Sequence, residues 1–371
     1  MECGRARVRN RPGQDPPSPQ PSPWKGEGED RRSSSPPPGG GEALGLFWLP
    51  WEELRERAWA ARTEHFAPWL GLAVPGAKHY ATEDYVNEPQ RFATISLTGT
   101  ACALDCAHCS RHLLEAMYAA PTPAKLLALG RRLQAEGCEG MLLSGGADPR
   151  GAVPLRPFLP AIARLKGVGL TIIVHTGLAD EETARGLRDA GIDQALFDVI
   201  GDAETVREVY GLPYGPDAYA RGLAILREAG LAVAPHVVIG LHFGKLRGEL
   251  RALEMIREAG AEMVVLVVLR PLPGTPMAQA TPPSAEEVGR VAAVARLLMP
   301  DAPLMLGCAR PAGPAKVEME RWAVLGGANV VAYPTPETVR LAAELGLETG
   351  FVESCCTLVD ARRVPARRSY W

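Results

Sequence analysis

The sequence predicts an α/β chain folded as a (β/α)8, TIM-like barrel behind a disordered N-terminal tail. Three observations predict it. Eight short apolar runs, mostly β-branched, recur between residues 91 and 334. Amphipathic stretches such as "PAKLLALGRRLQAEG", "DEETARGLRDAG" and "AEEVGRVAAVARLL" separate them. Many of these stretches close on a glycine, which takes the left-handed C′ conformation without penalty. Polar residues gather where the runs end, and a barrel of this kind carries its chemistry at the C-terminal ends of its strands. A doubly wound open sheet is the alternative, but no Gly-rich phosphate fingerprint follows the first run.

Residues 1–44, including "QDPPSPQPSPWKGEGEDRRSSSPPPGGGEA", are Pro, Ser, Gly and charge with almost nothing to bury, so this segment is expected to be disordered. Arg5, Arg7, Arg9 and Arg11 hint at a transit peptide, but prolines and acidic residues follow at once and no apolar face forms. Residues 45–90 read as a helical extension. There "EELRERAWAARTEHF" with Trp48, Trp51, Trp59 and Trp69 is expected to pack over the barrel bottom. The barrel itself is placed at 91–358. Its strands are "RFATISLTG", "GMLLSGG", "LTIIVHTG", "QALFDVIG", "LAVAPHVVIGLH", "MVVLVVLRP", "PLMLGCARP" and "ANVVAYP". Residues 359–371 form a short basic tail.

Composition narrows the function classes. A formal net charge of −3 leaves no electrostatic footprint for nucleic acid or an anionic membrane. No apolar run is long enough to span a bilayer. Eight cysteines in 371 residues are too sparse and too clustered for a secreted disulfide scaffold. The expected setting is cytoplasmic and reducing, where clustered thiols mean metal or catalysis.

Cys102, Cys106 and Cys109 stand in "SLTGTACALDCAHCSRH", directly after the first run. Three thiolates at this spacing on one loop can hold three corners of an iron–sulfur cubane and leave the fourth iron open. A zinc site is the competing reading, with His108 as a fourth donor.

With its internal Leu104 and the His108 ring before the third cysteine, "CALDCAHC" resembles the signature of the radical S-adenosylmethionine (SAM) superfamily. The fold class is then a barrel of radical SAM type. The resemblance implies a 4Fe–4S cluster on Cys102, Cys106 and Cys109, SAM on the open iron, and formation of a 5′-deoxyadenosyl radical. It implies that Ser144, Gly145 and Gly146 of "LLSGGAD" line the methionine amine of SAM. Ala147 replaces the family's Glu, which leaves Asp148 as the candidate charge. "VIGLHFGKLRGE" occupies the place of the adenine-binding segment. Eight strands and "RPLPGTPM" are similar to the biotin synthase-like branch. The whole run of motifs is most similar to the two-component, archaeal-type lipoyl synthases, in which two radical SAM proteins insert sulfur into a protein-bound octanoyl chain. Biotin synthase itself fits less well, because three further cysteines for its second cluster find no counterpart.

Asp198 and Arg270 are then candidates for the ribose hydroxyls and the methionine carboxylate, with a buried ion pair between them as the structural alternative. His108, His175, His236 and His242 are candidate SAM or substrate contacts, or else hydrogen-bonded supports. Cys308, Cys355 and Cys356 are candidate ligands of an auxiliary cluster, with Arg310 or a substrate atom completing it. The alternative is that all three thiols simply pack. Cys138 is expected at the opposite, structural face, and Cys3 lies in the tail. The implied partners are a reductant such as ferredoxin or flavodoxin, a second radical SAM protein and a lipoyl-domain carrier. The alternatives are a rearrangement or lyase of the same branch, like methylornithine synthase or the hydrogenase maturase, and a non-catalytic iron–sulfur carrier.

Overall fold

The structure is a computed structural model that describes residues 41–76 and 78–362. Eleven parallel strands form one sheet: β1 Trp69–Ala73, β2 Phe92–Ser96, β3 Tyr118–Ala119, β4 Gly140–Ser144, β5 Thr171–His175, β6 Gln194–Asp198, β7 Val233–Ile239, β8 Val264–Val268, β9 Leu304–Leu306, β10 Val330–Ala332 and β11 Glu348–Val352. All eight expected runs form strands, as β2 and β4 to β10, side by side in chain order with helices between most of them. The α/β architecture is the expected one. Parallel strands covered on both faces need near-continuous apolar runs, and β8 (VVLVV) and β6 (QALFD) are buried over almost their whole length.

The sheet curls as an open half-barrel, and the strand order shows why no β2–β10 ladder closes it. Both edges that would have to meet are taken: β3 pairs with β2, while β1 pairs with β10 and carries β11 on its far side. A strand has only two edges.

β1 lies inside the segment expected to be helical. Helices Glu42–Phe47 and Trp51–His65 do form there, the first of them beginning within the expected tail; residues 1–40 of that tail lie outside the described residues. The second helix packs Leu54 and Ala58 against Ala293 on helix Ala285–Leu298. Its buried Arg62 reaches the turn before β10, donating to Ala328 O at 3.3 Å and to Trp69 O at 2.7 Å. Trp69 is buried and Trp51 packs at a tilt against Trp322, ring centroids 4.4 Å apart, but Trp48 is exposed and meets Phe47 edge-on.

At the other end, the expected barrel limit at residue 358 falls inside the core. Val359 and Ala361 are buried, and a side chain on Gly71 of β1 would meet Val359 Cγ1 at 2.6 Å. Residues 363–371 of the basic tail lie outside the described residues. Cys138 is buried just before β4, at the N-terminal end of the sheet, as expected. No helix among the described residues is long and apolar enough to cross a membrane.

Candidate functional site

The loop after β2 is shaped by its own backbone. Ser96 Oγ donates to Gly99 O at 2.6 Å, and Gly99 turns the chain at φ 61°. Further on, Cys106 O accepts the amides of Cys109 (3.1 Å) and Ser110 (2.9 Å), which curls the loop around the second and third cysteines. Ser110 and Arg111 then lie at φ 40° and 70°, in the left-handed region that non-glycine residues rarely adopt.

The Gly-Gly stretch after β4 pins the first cysteine. Gly146 N–H donates to Thr98 Oγ1 at 2.7 Å, and Ala147 N–H donates to Cys102 Sγ at 3.3 Å. Ala103 N–H returns to Ala147 O at 2.8 Å. A Cβ on Gly146 would sit 2.1 Å from Ala101 O and 2.5 Å from Cys102 Cβ, so only glycine lets the loop approach this closely. Ser144 O is taken by Leu97 N–H at 2.8 Å. Asp148 is engaged in its own turn, accepting from the amides of Arg150 (2.8 Å) and Ala152 (3.1 Å) and pairing with the Arg150 guanidinium at 3.0 Å. Burial alone would raise its pKa, but those donors hold it below the usual carboxylate range.

The ligand atoms of Cys106, His108 and Cys109 lie within 4.8 Å of one another. Cys106 donates to Cys109, which together with His108 pulls the Cys109 thiol down to about 4 despite burial. The same hydrogen bond, with burial, pushes Cys106 up. This is a ready thiolate beside a second thiol, the donor chemistry that a metal centre takes up. His108 lies with its ring 5.3 Å from Tyr210, and its Nδ1 is buried without a hydrogen-bond partner. Cys102 lies outside that set, held by the Gly-Gly turn, but near enough to Cys106 to help raise it, so three thiols line this loop with an imidazole edge beside them.

His175 and Asp198, the last residues of β5 and β6, come together with His236, midway along β7. Asp198 is in register with His236, and the two rings are 5.5 Å apart. His236 Nδ1 lies 2.9 Å from Ala234 O, and a carbonyl only accepts, so the proton sits on Nδ1 and Nε2 carries the lone pair. Burial and the neighbouring His175 push His236 down to about 4, and burial also lowers His175. Both rings are therefore neutral at neutral pH. A histidine with a depressed native value costs stability as pH falls from its unfolded value of about 6.5 toward the native one, because the unfolded chain binds the extra proton first. The full chain is expected to lose melting temperature over that window, and His236→Asn to lose less of it. Identical pH profiles in thermal melts would contradict the assignment.

A second thiol group stands at the ends of β9 and β11. Cys308 follows β9 with its side chain open to solvent on one side; the protein crowded around its other sides and the Cys355 thiol raise it, while Arg310 and Lys78 pull it down. Cys356 donates to Cys355, bringing Cys355 down to about 7 and sending Cys356 up. Thr357 Oγ1 donates to Cys355 Sγ at 3.4 Å. Arg310 is not free to ligate: it is buried, pairs with Glu320 at 2.5 Å and donates to Gly307 O and Tyr333 O. Arg270 is exposed and near enough to Lys78 to depress it, and it forms no ion pair with Asp198 among the described residues. Lys78 itself lies over the Tyr333 ring at 4.0 Å. The end of the sheet thus divides in two. One half holds the first three cysteines with Asp198 and the histidines, and the other holds Cys308, Cys355 and Cys356 among cations.

Sequence reasoning missed Tyr210 and Lys78. Tyr210 sits between His108 and Asp198 and is pushed up by burial first and by Asp198 next. Its position in the loop after β6 was the available signal. Lys78 follows β1, a strand the sequence did not reveal.

Residues 96–251 match the family model of the radical SAM superfamily. That stretch spans the cysteine loop, the Gly-Gly turn, Asp198 and both histidines, so these residues form a radical SAM domain. The chain is 28% identical to the biotin synthase of Bordetella avium over 304 residues, 79% of this chain and 85% of that protein. It is 27% identical to the biotin synthase of Nitrosococcus oceani over 337 residues, 84% and 89% respectively. In fold it is similar to methylornithine synthase (TM-score 0.56, 17% identity, 83% of this chain and 93% of that one). It is also similar to the FeFe-hydrogenase maturase HydG (TM-score 0.58, 15% identity, 83% and 71%).

Proposed function

We propose that this chain is a radical SAM enzyme that inserts sulfur into an aliphatic chain, as a lipoyl or biotin synthase-like sulfurtransferase. The observation that carries the reading is the second thiol group, Cys308 with Cys355 and Cys356, at the same end of the sheet as the first. When bound, the cluster and SAM supply a 5′-deoxyadenosyl radical able to take hydrogen from an unactivated C–H bond. Cys102, Cys106 and Cys109 hold that cluster, and Gly146 and Ala147 fix the loop on which it sits. Neutral His175 and His236 offer a lone pair toward SAM or substrate without adding charge beside Asp198. Cys308, Cys355 and Cys356 hold an auxiliary iron–sulfur cluster as the sulfur source, with Lys78 and Arg310 offsetting the charge of its thiolates. The biotin synthase relatives support this reading, and a low-potential reductant such as ferredoxin or flavodoxin is its expected electron source.

Iron and sulfide counts test it. Anaerobically reconstituted full chain should carry about eight irons, that is two 4Fe–4S clusters. Cys308→Ala, or Cys355→Ala with Cys356→Ala, should remove about four of them and leave SAM cleavage measurable. About four irons in the unaltered chain, unchanged in both variants, would overturn the auxiliary cluster and favour a rearrangement or lyase reaction.

A further inference from the structure

Outside the two thiol groups, a second set of metal-ligating side chains gathers where the loop after β6 meets the loop after β7. The ligand atoms of Glu204, Glu208 and His242 lie within 4.8 Å of one another. Glu204 and Glu208 are four residues apart, on a helical turn that opens with Ala203–Thr205 and continues as a π-helical turn, Val206–Tyr210. Such turns are uncommon and concentrate at functional sites.

The hydrogen bonds around His242 orient its ring. Asp202 Oδ2 accepts from Thr205 N–H at 2.7 Å and from Arg247 Nε at 2.9 Å, so it is an ion-paired carboxylate with nothing to donate. The Thr205 hydroxyl, 2.7 Å from the same oxygen, must therefore spend its one hydrogen there. It can then only accept from His242 Nδ1, 3.2 Å away. Nδ1 therefore carries a hydrogen, and Nε2 is the ring nitrogen left to face Glu208. That nitrogen has no hydrogen bond among the described residues, and it points at Glu208 Oε2 across 3.8 Å, on a residue only 9% exposed. At that distance the two atoms make no hydrogen bond with each other, and an ion between them would engage both. An Nδ1–H held by a polar neighbour is also how a metal-ligating imidazole is oriented.

Charge points the same way. Asp202, Glu204 and Glu208 face one close cation, Arg247, which pairs with Asp202 and Glu204; Arg207 approaches Glu208 only to 3.8 Å. Glu204 keeps its Oε1 outside that contact, and the two glutamates are 35% and 43% exposed, which gives an ion a way in.

We propose that Glu204, Glu208 and His242 bind one divalent cation of the manganese or zinc class, which joins the helical turn carrying Tyr210 to the loop after β7. One imidazole and two carboxylates suit such an ion, with water completing its shell. The site is separate from both cysteine groups but mechanically close to the first. Val209 O, one residue beyond Glu208, accepts Ala107 N–H at 2.8 Å, and Tyr210 lies against His108. A cation here steadies the wall of the cysteine loop from behind.

Manganese is the probe, because it prefers oxygen and nitrogen to thiolates and gives an EPR signal when free in solution. Tag-free, cluster-loaded full chain is titrated with Mn2+ and the free ion is read by EPR. The expected result is about one bound ion per chain. Glu208→Gln and Glu204→Gln, on partly exposed side chains that the fold does not need, should each weaken binding by about tenfold or more. Thr205→Ala, which frees the ring, should weaken it by about 10–100-fold. No bound Mn2+ in the unaltered chain, or affinities unchanged in Glu208→Gln and His242→Gln, would overturn the site. Neither result depends on whether the chain inserts sulfur.

Discussion

Replacing Cys102, Cys106 and Cys109 together by alanine is expected to remove one cluster, about four irons per chain, and to abolish reductive SAM cleavage. On the proposed reading each thiolate serves a different iron, so no member of the set substitutes for another. The fold should survive, because the three residues sit on a loop whose shape comes from Ser96, Thr98, Gly99 and Gly146, and the packed strands lie elsewhere. Dithionite-reduced variant releasing 5′-deoxyadenosine at the unaltered rate would refute the assignment. The variant should also spare iron at the Cys308 group, because that group shares no ligand with the first.

The sequence made the eight inner strands legible because each is buried on both faces and so appears as an unbroken apolar run bounded by glycine. β11, Glu348–Val352, escaped for the opposite reason: it is an edge strand, half-exposed, and "ETGFV" carries no periodic signal. β1 was an apolar run, but it followed a helix rich in tryptophan and aromatic contacts, and its burial was read as helix packing. Edge strands decide whether a sheet closes, so the open order was hidden with them.

In the site, spacing places Cys106 and Cys109 side by side, because local backbone turns curl the loop around them, while Cys102 is held by the Gly-Gly turn. Spacing sufficed for His175, Asp198 and His236, since strand register is a regular ruler. Arg270 shows where such reasoning fails. Its place after β8 was right, but which neighbour it faces depends on β1 and Lys78, joined to the site only through tertiary packing. Asp148 shows a shorter-range case: a turn with Arg150 and Ala152 engages its carboxylate, which its place after the Gly-Gly stretch did not announce. The Glu204, Glu208 and His242 set drew no motif, because two of its members sit on a turn that no periodicity announces.

The most direct test of sulfur insertion follows hydrogen and sulfur together. Reduced, cluster-loaded protein is incubated with SAM and an octanoyl-lysine peptide deuterated along the chain, with and without a second radical SAM protein. The account predicts deuterium in 5′-deoxyadenosine and a peptide mass gain of one sulfur, with completion of the dithiolane requiring the partner. Deuterium transfer and sulfur gain should both vanish in the variant lacking Cys102, Cys106 and Cys109. The sulfur gain alone should vanish in Cys308→Ala, since the radical and the sulfur come from opposite halves of the site. Active SAM cleavage with no deuterium transfer under any partner combination would contradict the account.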